Sequence, residues 1–391
     1  MTRIALRRAP FPATLLTLIA SLSIAASAAA GGFGPAEVIR TTASGNDLLV
    51  KDLAGRSTNI VVGWEEAQPA GRASFIRWST NGGTTWQPRV RLDTRPQREL
   101  QVATCSAWAW AVSAVNESGE WLAVLDGRDL DGSGTEGLLL SFAPVARKPD
   151  IACVGTKRLA IVWLERVGGN FHLKFFSRAV FEDPMGPNPP QYDIDLGQAR
   201  VDRGIAIAAT SDRIVVAWFT GDDLKFKRFS VGAGPDFVVT PRVTQNLGTL
   251  PYANTPELGI DGDRVVLAYQ NRADLVVRRS TNGGQSFGGQ QVLVNEPFPS
   301  EIGAAPTTVD VRGLRVLVEG VEIAGIGTLT GRGFGRRSGD GGSSWSATSQ
   351  HNGGRQVGAY YKSGGVTRIV EAWDQSISDP DVERLRVHRG T

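Results

Sequence analysis

The chain has 391 residues, 41% hydrophobic and 21% charged, with 47 Gly, 20 Pro, 10 Trp and 2 Cys. It is too apolar to be disordered and too poor in cysteine to be a disulfide-built miniprotein, and its length suits one large β-architecture or two average domains. The formal charge of +3 is concentrated in the first thirty residues, so the rest of the chain carries no global positive field for a nucleic acid.

Those thirty residues read as a secretory signal peptide. Arg3, Arg7 and Arg8 precede an uncharged stretch holding Leu15, Leu16, Leu18, Ile19, Leu22 and Ile24, which ends in the small residues Ala26 to Ala30. An uncleaved anchor is the alternative, but the apolar stretch barely reaches the ~17–25 residues needed to span a bilayer. The 42 basic residues less these three arginines equal the 39 acidic ones, so residues 31–391 have no net charge. No later apolar run is long enough to cross a membrane. The expected product is secreted or periplasmic, free of a membrane span and monomeric, in a compartment where Cys105 and Cys153 can pair.

A short β-rich phrase then recurs along the chain: Asn59 to Trp64, Glu120 to Leu125, Arg158 to Trp163, Arg213 to Trp218, Arg264 to Tyr269, Arg315 to Gly320 and Arg368 to Trp373. Between their last residues the intervals are 61, 38, 55, 51, 51 and 53. Upstream of each lies another apolar stretch, such as Ile205-Ala206-Ile207, joined by a tight turn such as Asp261-Gly262-Asp263. Downstream lies a third strand-like run, such as Leu224 to Phe229, alternating apolar and polar residues. Helical periodicity is nearly absent beyond the signal segment. Three to four antiparallel strands per repeat of about 50 residues predict an all-β propeller with four-stranded blades. Seven copies favour seven blades, with six as the alternative.

The last repeat is followed only by Arg384 to His388, which leaves its blade short of an outer strand, while Glu37 to Thr41 has no place in the first blade. Pairing the two closes the ring and removes open sheet edges. Cys105 and Cys153 fall in the innermost strands of consecutive repeats, 48 residues apart. A disulfide between neighbouring strands is one outcome and two buried thiols the other. Trp64, Trp163, Trp218 and Trp373 recur at one repeat position, which points to packing between blades rather than to sugar stacking.

Three segments share a tighter pattern: residues 79–86, 280–287 and 338–345 read Ser-x-Asn/Asp-x-Gly-x-Thr/Ser-aromatic. Ser79, Asn81, Gly83 and Trp86 recur as Ser280, Asn282, Gly284 and Phe287, and as Ser338, Asp340, Gly342 and Trp345. A polar side chain that bonds turn amides, glycines with positive φ and an aromatic that pins the turn together describe a tight hairpin. A degenerate fourth copy is read at Ser230, Gly234 and Phe237. The pattern resembles the Asp-box, or BNR repeat, of sialidases and related β-propellers, and with the strand repeats the resemblance covers nearly all of residues 31–391. It implies one propeller domain in which these turns are structural and lie away from the ligand face.

A sialidase mechanism, in what the resemblance implies, needs an arginine cluster for the substrate carboxylate, a Tyr nucleophile with its Glu and an Asp acid/base. The family's Phe/Tyr-Arg-Ile-Pro segment is absent; Phe75-Ile76-Arg77-Trp78 comes nearest, so no catalytic residue is carried over. The loops leading into first strands and those joining second to third strands should gather at one channel mouth, making Arg98, Asp150, Arg203, Glu257, Arg272 and Arg355 the candidate ligand-binding residues, although for any one of them a solvated rim charge is the simpler reading. Tyr360, Tyr361 and Glu371 are more simply core residues than a nucleophile pair. No cofactor is expected, save for one loop in which Asp129, Asp131 and Ser133 place oxygens at alternate positions, as Ca2+ loops do; a glycine-rich hairpin tip is the other reading. The first functional expectation is an exported, non-catalytic propeller binding a glycan, a surface polymer or an extracellular protein. The alternative is an exo-acting glycoside hydrolase of sialidase type with a diverged arginine clamp.

Overall fold

The computed structural model describes residues 36–42, 47–141, 145–156, 158–180, 192–232, 238–294, 302–324, 328–352, 354–376 and 383–390. The signal segment, and Gly234 and Phe237 of the degenerate turn, lie outside the described residues. No described helix is long and apolar enough to cross a membrane.

The strands form seven antiparallel sheets. Their innermost strands are Leu48–Arg56, Gln97–Cys105, Ala146–Val154, Ile205–Ala209, Ala253–Asp261, Ile302–Arg312 and Gln356–Ser363, in blades 1 to 7. Each touches the next, and the last touches the first, so the sheets close into a propeller around a central channel. Blades 1 to 6 hold four strands in the order of the chain, with a fifth, Gln245–Thr249, added to the third strand of blade 4, while blade 7 takes its fourth strand from the N-terminal end.

The expected phrases lie on second strands in every blade except blade 2. There the second strand is Trp108–Glu117, and Glu120 to Leu125 belongs to the third. Counting Ser113 as the counterpart of Trp64 and Trp163 restores an even spacing and explains the irregular intervals. The sequence misleads here because both strands of this hairpin are apolar enough to match.

Blade 7 is completed as expected: Glu37–Thr41 pairs with Glu383–Gly390, next to Val366–Ser376 and Gln356–Ser363. Side chains bind this strand to blade 1. Arg40 makes two hydrogen bonds to Glu66, of 2.6 and 3.0 Å, and Arg77 donates to the Ile39 carbonyl at 2.6 Å. Glu66 is 1% exposed and also accepts from Arg89 and from the Trp64 indole. Burial pushes its carboxyl up, but the hydrogen bonds from Arg40 and Trp64 and the charges of Arg40 and Arg89 leave it below the ordinary range.

The core is divided among the seven blade interfaces, where β-branched and aromatic side chains of adjacent sheets interdigitate. Trp64, Trp163, Trp218 and Trp373 are all buried there. At ~25 cal/mol per Å2 of apolar surface removed from water, these interfaces hold together sheets too small to stand alone. Cys105 and Cys153 form a disulfide between blades 2 and 3, with their Cα atoms 5.4 Å apart.

Candidate functional site at the channel mouth

The two ends of the channel are built differently. At one end lie the turns between first and second strands and those between third and fourth; at the other, each chain segment enters its inner strand. This second end is the mouth, and at it five inner strands carry a bulge. Register breaks fall between Val50 and Asp52, Arg98 and Gln101, Arg147 and Asp150, Asn254 and Glu257, and Pro306 and Thr308. Glu99, Lys148 and Thr255, within these breaks, have positive φ, as does Gly204 at the corresponding point of blade 4. Non-glycine residues rarely adopt this conformation, and it places their side chains at the rim.

Directly after the bulges stand Asp52, Gln101, Asp150, Glu257 and Thr308, all lining the channel. Two of these acids also join blades. Asp52 accepts from the amides of Leu53 (2.7 Å) and of Val102 in blade 2 (2.8 Å), and Asp150 from those of Ile151 and of Ile207 in blade 4, both at 2.8 Å. Above this ring a recess of about 130 Å3 is lined by Lys51, Glu99, Lys148, Asp150, Glu257 and Arg355, among others. Lys51 pairs with Glu65 at 3.4 Å, and the Lys148 amide donates to Glu99 at 2.7 Å.

The environment favours uncharged forms. Burial, and then the nearby Asp52 charge, push the Asp150 carboxyl up to about 8. Burial, followed by repulsion from Asp150, lifts Glu257 well above the carboxylate range, and burial also raises Asp52 and Glu99. Burial lowers the Lys51 ammonium. The mouth therefore presents donors and acceptors side by side, with carboxyls that can be either.

Of the six residues expected to bind ligand, Asp150, Glu257 and Arg355 meet at this recess. The other three engage partners elsewhere. Arg203 is 9% exposed and donates to the carbonyls of Leu250, Pro251 and Ala253 and to Asp222. Arg98 lies 3.4 Å above the Trp121 ring and Arg272 4.8 Å above that of Tyr252. Lys51, Glu99 and Lys148 were not anticipated. For Lys148 the signal was proline inside an apparent inner strand, Lys148-Pro149-Asp150, repeated as Thr255-Pro256-Glu257, which marks a bulge; Lys51 and Glu99 have no such mark in their bulges.

Tyr360 and Glu371 lie in the interface between blades 6 and 7, where Tyr360 is 4% exposed and Glu371 fully buried. Arg337 donates to Glu371 at 2.7 Å. In the loop with Asp129, Asp131 and Ser133, the Asp129 carboxylate accepts from the Asp131 amide and the Asp131 carboxylate from the Ser133 amide. Both acids thus shape a hairpin tip. Among the described residues no group of three or more His, Cys, Asp or Glu side chains is arranged to hold a metal ion.

At the opposite end, the three Ser-to-aromatic turns repeat one hydrogen-bond pattern. Ser79, Ser280 and Ser338 each accept from the glycine amide four residues on, at 2.8, 2.9 and 2.7 Å. Asn81, Asn282 and Asp340 each accept from the amide four residues on, at 2.9, 3.0 and 2.9 Å.

Solved sialidases and neuraminidases are among the structures that superpose on this chain. The hemagglutinin-neuraminidase of parainfluenza virus 5 superposes with a TM-score of 0.48 at 8% identity, covering 92% of this chain and 95% of that one. NanB sialidase of Streptococcus pneumoniae gives 0.46 at 7%, covering 91% and 70%. Trypanosoma rangeli sialidase gives 0.48 at 7%, covering 91% of this chain but 59% of its own. No protein-family model matches the chain, and no curated protein sequence does either.

Proposed function

We propose that the protein is an exported Asp-box propeller that binds the hydroxyl-rich end of a glycan at its channel mouth, without catalysis. The observation that carries this reading is the recess lined by Lys51, Lys148 and Arg355 together with Glu99, Asp150 and Glu257. Mixed donors and acceptors on a rigid concave rim suit a ligand bearing many hydroxyls and no net charge. A sialic acid carboxylate asks for several converging arginines. Arg355 lines the recess, while Arg98, Arg203 and Arg272 are committed to Trp121, to backbone carbonyls and to Tyr252. That distribution favours a binder over the exo-glycosidase.

The Asp-box assignment is supported by the matching serine and Asn/Asp bonds of the three turns, and a structural role for these residues on the face away from the mouth goes with it. Export rests on the signal-like segment at residues 1–30.

The test is a glycan array of neutral and acidic oligosaccharides read with wild type and with Lys148→Ala, combined with a fluorogenic sialoside assay. Binding to neutral glycans that Lys148→Ala abolishes is expected, with no turnover. Turnover of the sialoside that is lost on Arg355→Ala would replace the binder with an enzyme.

A further inference from the structure

Where the mouth is ringed by acids, the opposite opening of the channel carries arginine. Arg56 closes the inner strand Leu48–Arg56 of blade 1, and Arg312 closes Ile302–Arg312 of blade 6. They hold equivalent positions, paired with Asn59 and Arg315, where the second strands begin. Arg56 stands four residues beyond Asp52, about 13 Å along an extended strand. Both arginines line the channel, whose cavity of about 180 Å3 also takes in Asp52, Asp150 and Glu257 at the mouth.

Each arginine reaches past the neighbouring blade. The Arg56 guanidinium extends from blade 1 to blade 3, where its Nη1 points at the Cys153 sulfur from 3.4 Å. That of Arg312 extends from blade 6 to blade 1 and donates to the Gly55 carbonyl at 3.0 Å. The tip of Arg312 is thereby brought to the residue just before Arg56.

The two cations are unequally matched. Arg312 has Asp310 3.6 Å from its Nε. The acids at this end are also engaged by backbone, since Asp310 accepts the Tyr360 amide at 2.7 Å and Asp261 accepts that of Gly313. Burial raises the Asp310 carboxyl, which limits its repulsion of an incoming anion. Among the described residues no carboxylate lies within ion-pair distance of Arg56, and its one hydrogen-bond partner is a sulfur, a weak acceptor. Burial first, and then the like charge of Arg312, lower the Arg56 guanidinium from its ordinary value. An arginine keeps its proton in a protein all the same. Arg56 therefore carries a charge without a counter-charge, next to a second cation.

A guanidinium offers five donors in a planar fork, and two of them facing one opening can grip an oxyanion from both sides. The geometry points to an anion site at the turn-face end of the channel, where Arg56 and Arg312 together hold a small inorganic oxyanion of the phosphate or sulfate type. Held there, the anion relieves the repulsion between the arginines and links blades 1 and 6.

Thermal melts of the purified protein in rising sodium phosphate, with ionic strength held constant by sodium chloride, test this independently of any ligand at the mouth. Wild type should gain stability with phosphate as a single-site ligand requires, and sulfate should act likewise. Arg56→Ala and Arg312→Ala should each weaken the apparent affinity by about tenfold or more, the worth of a charge-assisted hydrogen bond. Arg56→Lys should weaken it less, because an ammonium keeps the charge but not the fork. Lys148→Ala, at the mouth, should stay within about twofold of wild type. No gain with phosphate in wild type would overturn the proposal, and so would a gain undiminished in Arg56→Ala. Loss of the gain in Lys148→Ala alone would move the anion to the mouth and overturn it too. Should Arg56→Ala fail to fold, undiminished affinity in both Arg56→Lys and Arg312→Ala would be equally fatal.

Discussion

The two ends of the channel obey opposite rules. On the turn face the same atoms recur: serine oxygens accept glycine amides, and glycine amides reach the carbonyl before the second strand, at nearly equal distances in blades 1, 5 and 6. At the mouth the backbone recurs but the side chains do not, and equivalent bulges carry Lys51, Glu99, Lys148, Thr255 and Thr307. Uniform side chains mark what this turn needs in order to fold, wherever a blade uses it. Varied side chains on a uniform backbone are free to recognise something, because the scaffold holds them regardless of identity.

The sharpest way to break the structural side is at the ring closure. Glu66→Ala leaves Arg40 and Arg89 without their shared buried carboxylate, so that Arg77 alone of these side chains still ties the Glu37–Thr41 strand to blade 1. Losing hydrogen bonds to a buried carboxylate, with the arginines left behind still reached by water, costs about 1.5–3 kcal/mol. Denaturant unfolding should show that loss, and limited proteolysis should cut near the N-terminal strand first.

A smaller pair of effects separates the two ends directly. Ser338→Ala removes the acceptor for the Gly342 and Asp340 amides and should cost about 1–2 kcal/mol while leaving glycan binding intact. Lys148→Ala should change stability by no more than about 0.5 kcal/mol yet abolish binding. Thermal melts and the glycan array read both. If Ser338→Ala harms binding as much as Lys148→Ala does, the division between the two faces is wrong.

Much of the architecture was legible because a propeller repeats itself. The apolar phrases follow from packing that recurs from blade to blade, the Ser-to-aromatic turns from one hairpin used in blades 1, 5 and 6, and the unplaced Glu37–Thr41 strand from the need to close the ring. Blade 2 was misread for the same reason, since Trp108–Glu117 and Glu120–Asp129 are both apolar and neighbouring strands compete for one pattern. The site was half legible. Asp150, Glu257 and Arg355 could be placed by counting strands. Arg203 could not be told from them, because its binding to the carbonyls of Leu250, Pro251 and Ala253 depends on how a loop folds back. Lys51 and Lys148 look like solvent-facing strand residues until the bulge turns them to the rim.

The mildest test concerns pH. Asp150 has an ordinary carboxyl value of 3.8 when unfolded and is pushed up to about 8 in the folded channel, by burial first and by the Asp52 charge second. A folded-state value above the unfolded one means the native protein holds the proton more tightly, so stability from this group is fully present below about pH 4 and is lost as pH rises toward 8. Asp150→Asn removes the titration and keeps an oxygen for the Ile207 amide. Its melting temperature should thus fall less than that of wild type between pH 6 and 9, with the two curves closest at the acid end. Parallel curves would mean that Asp150 is already ionised in the folded protein. The mouth would then carry a standing negative charge, better suited to a cationic ligand than to a neutral glycan.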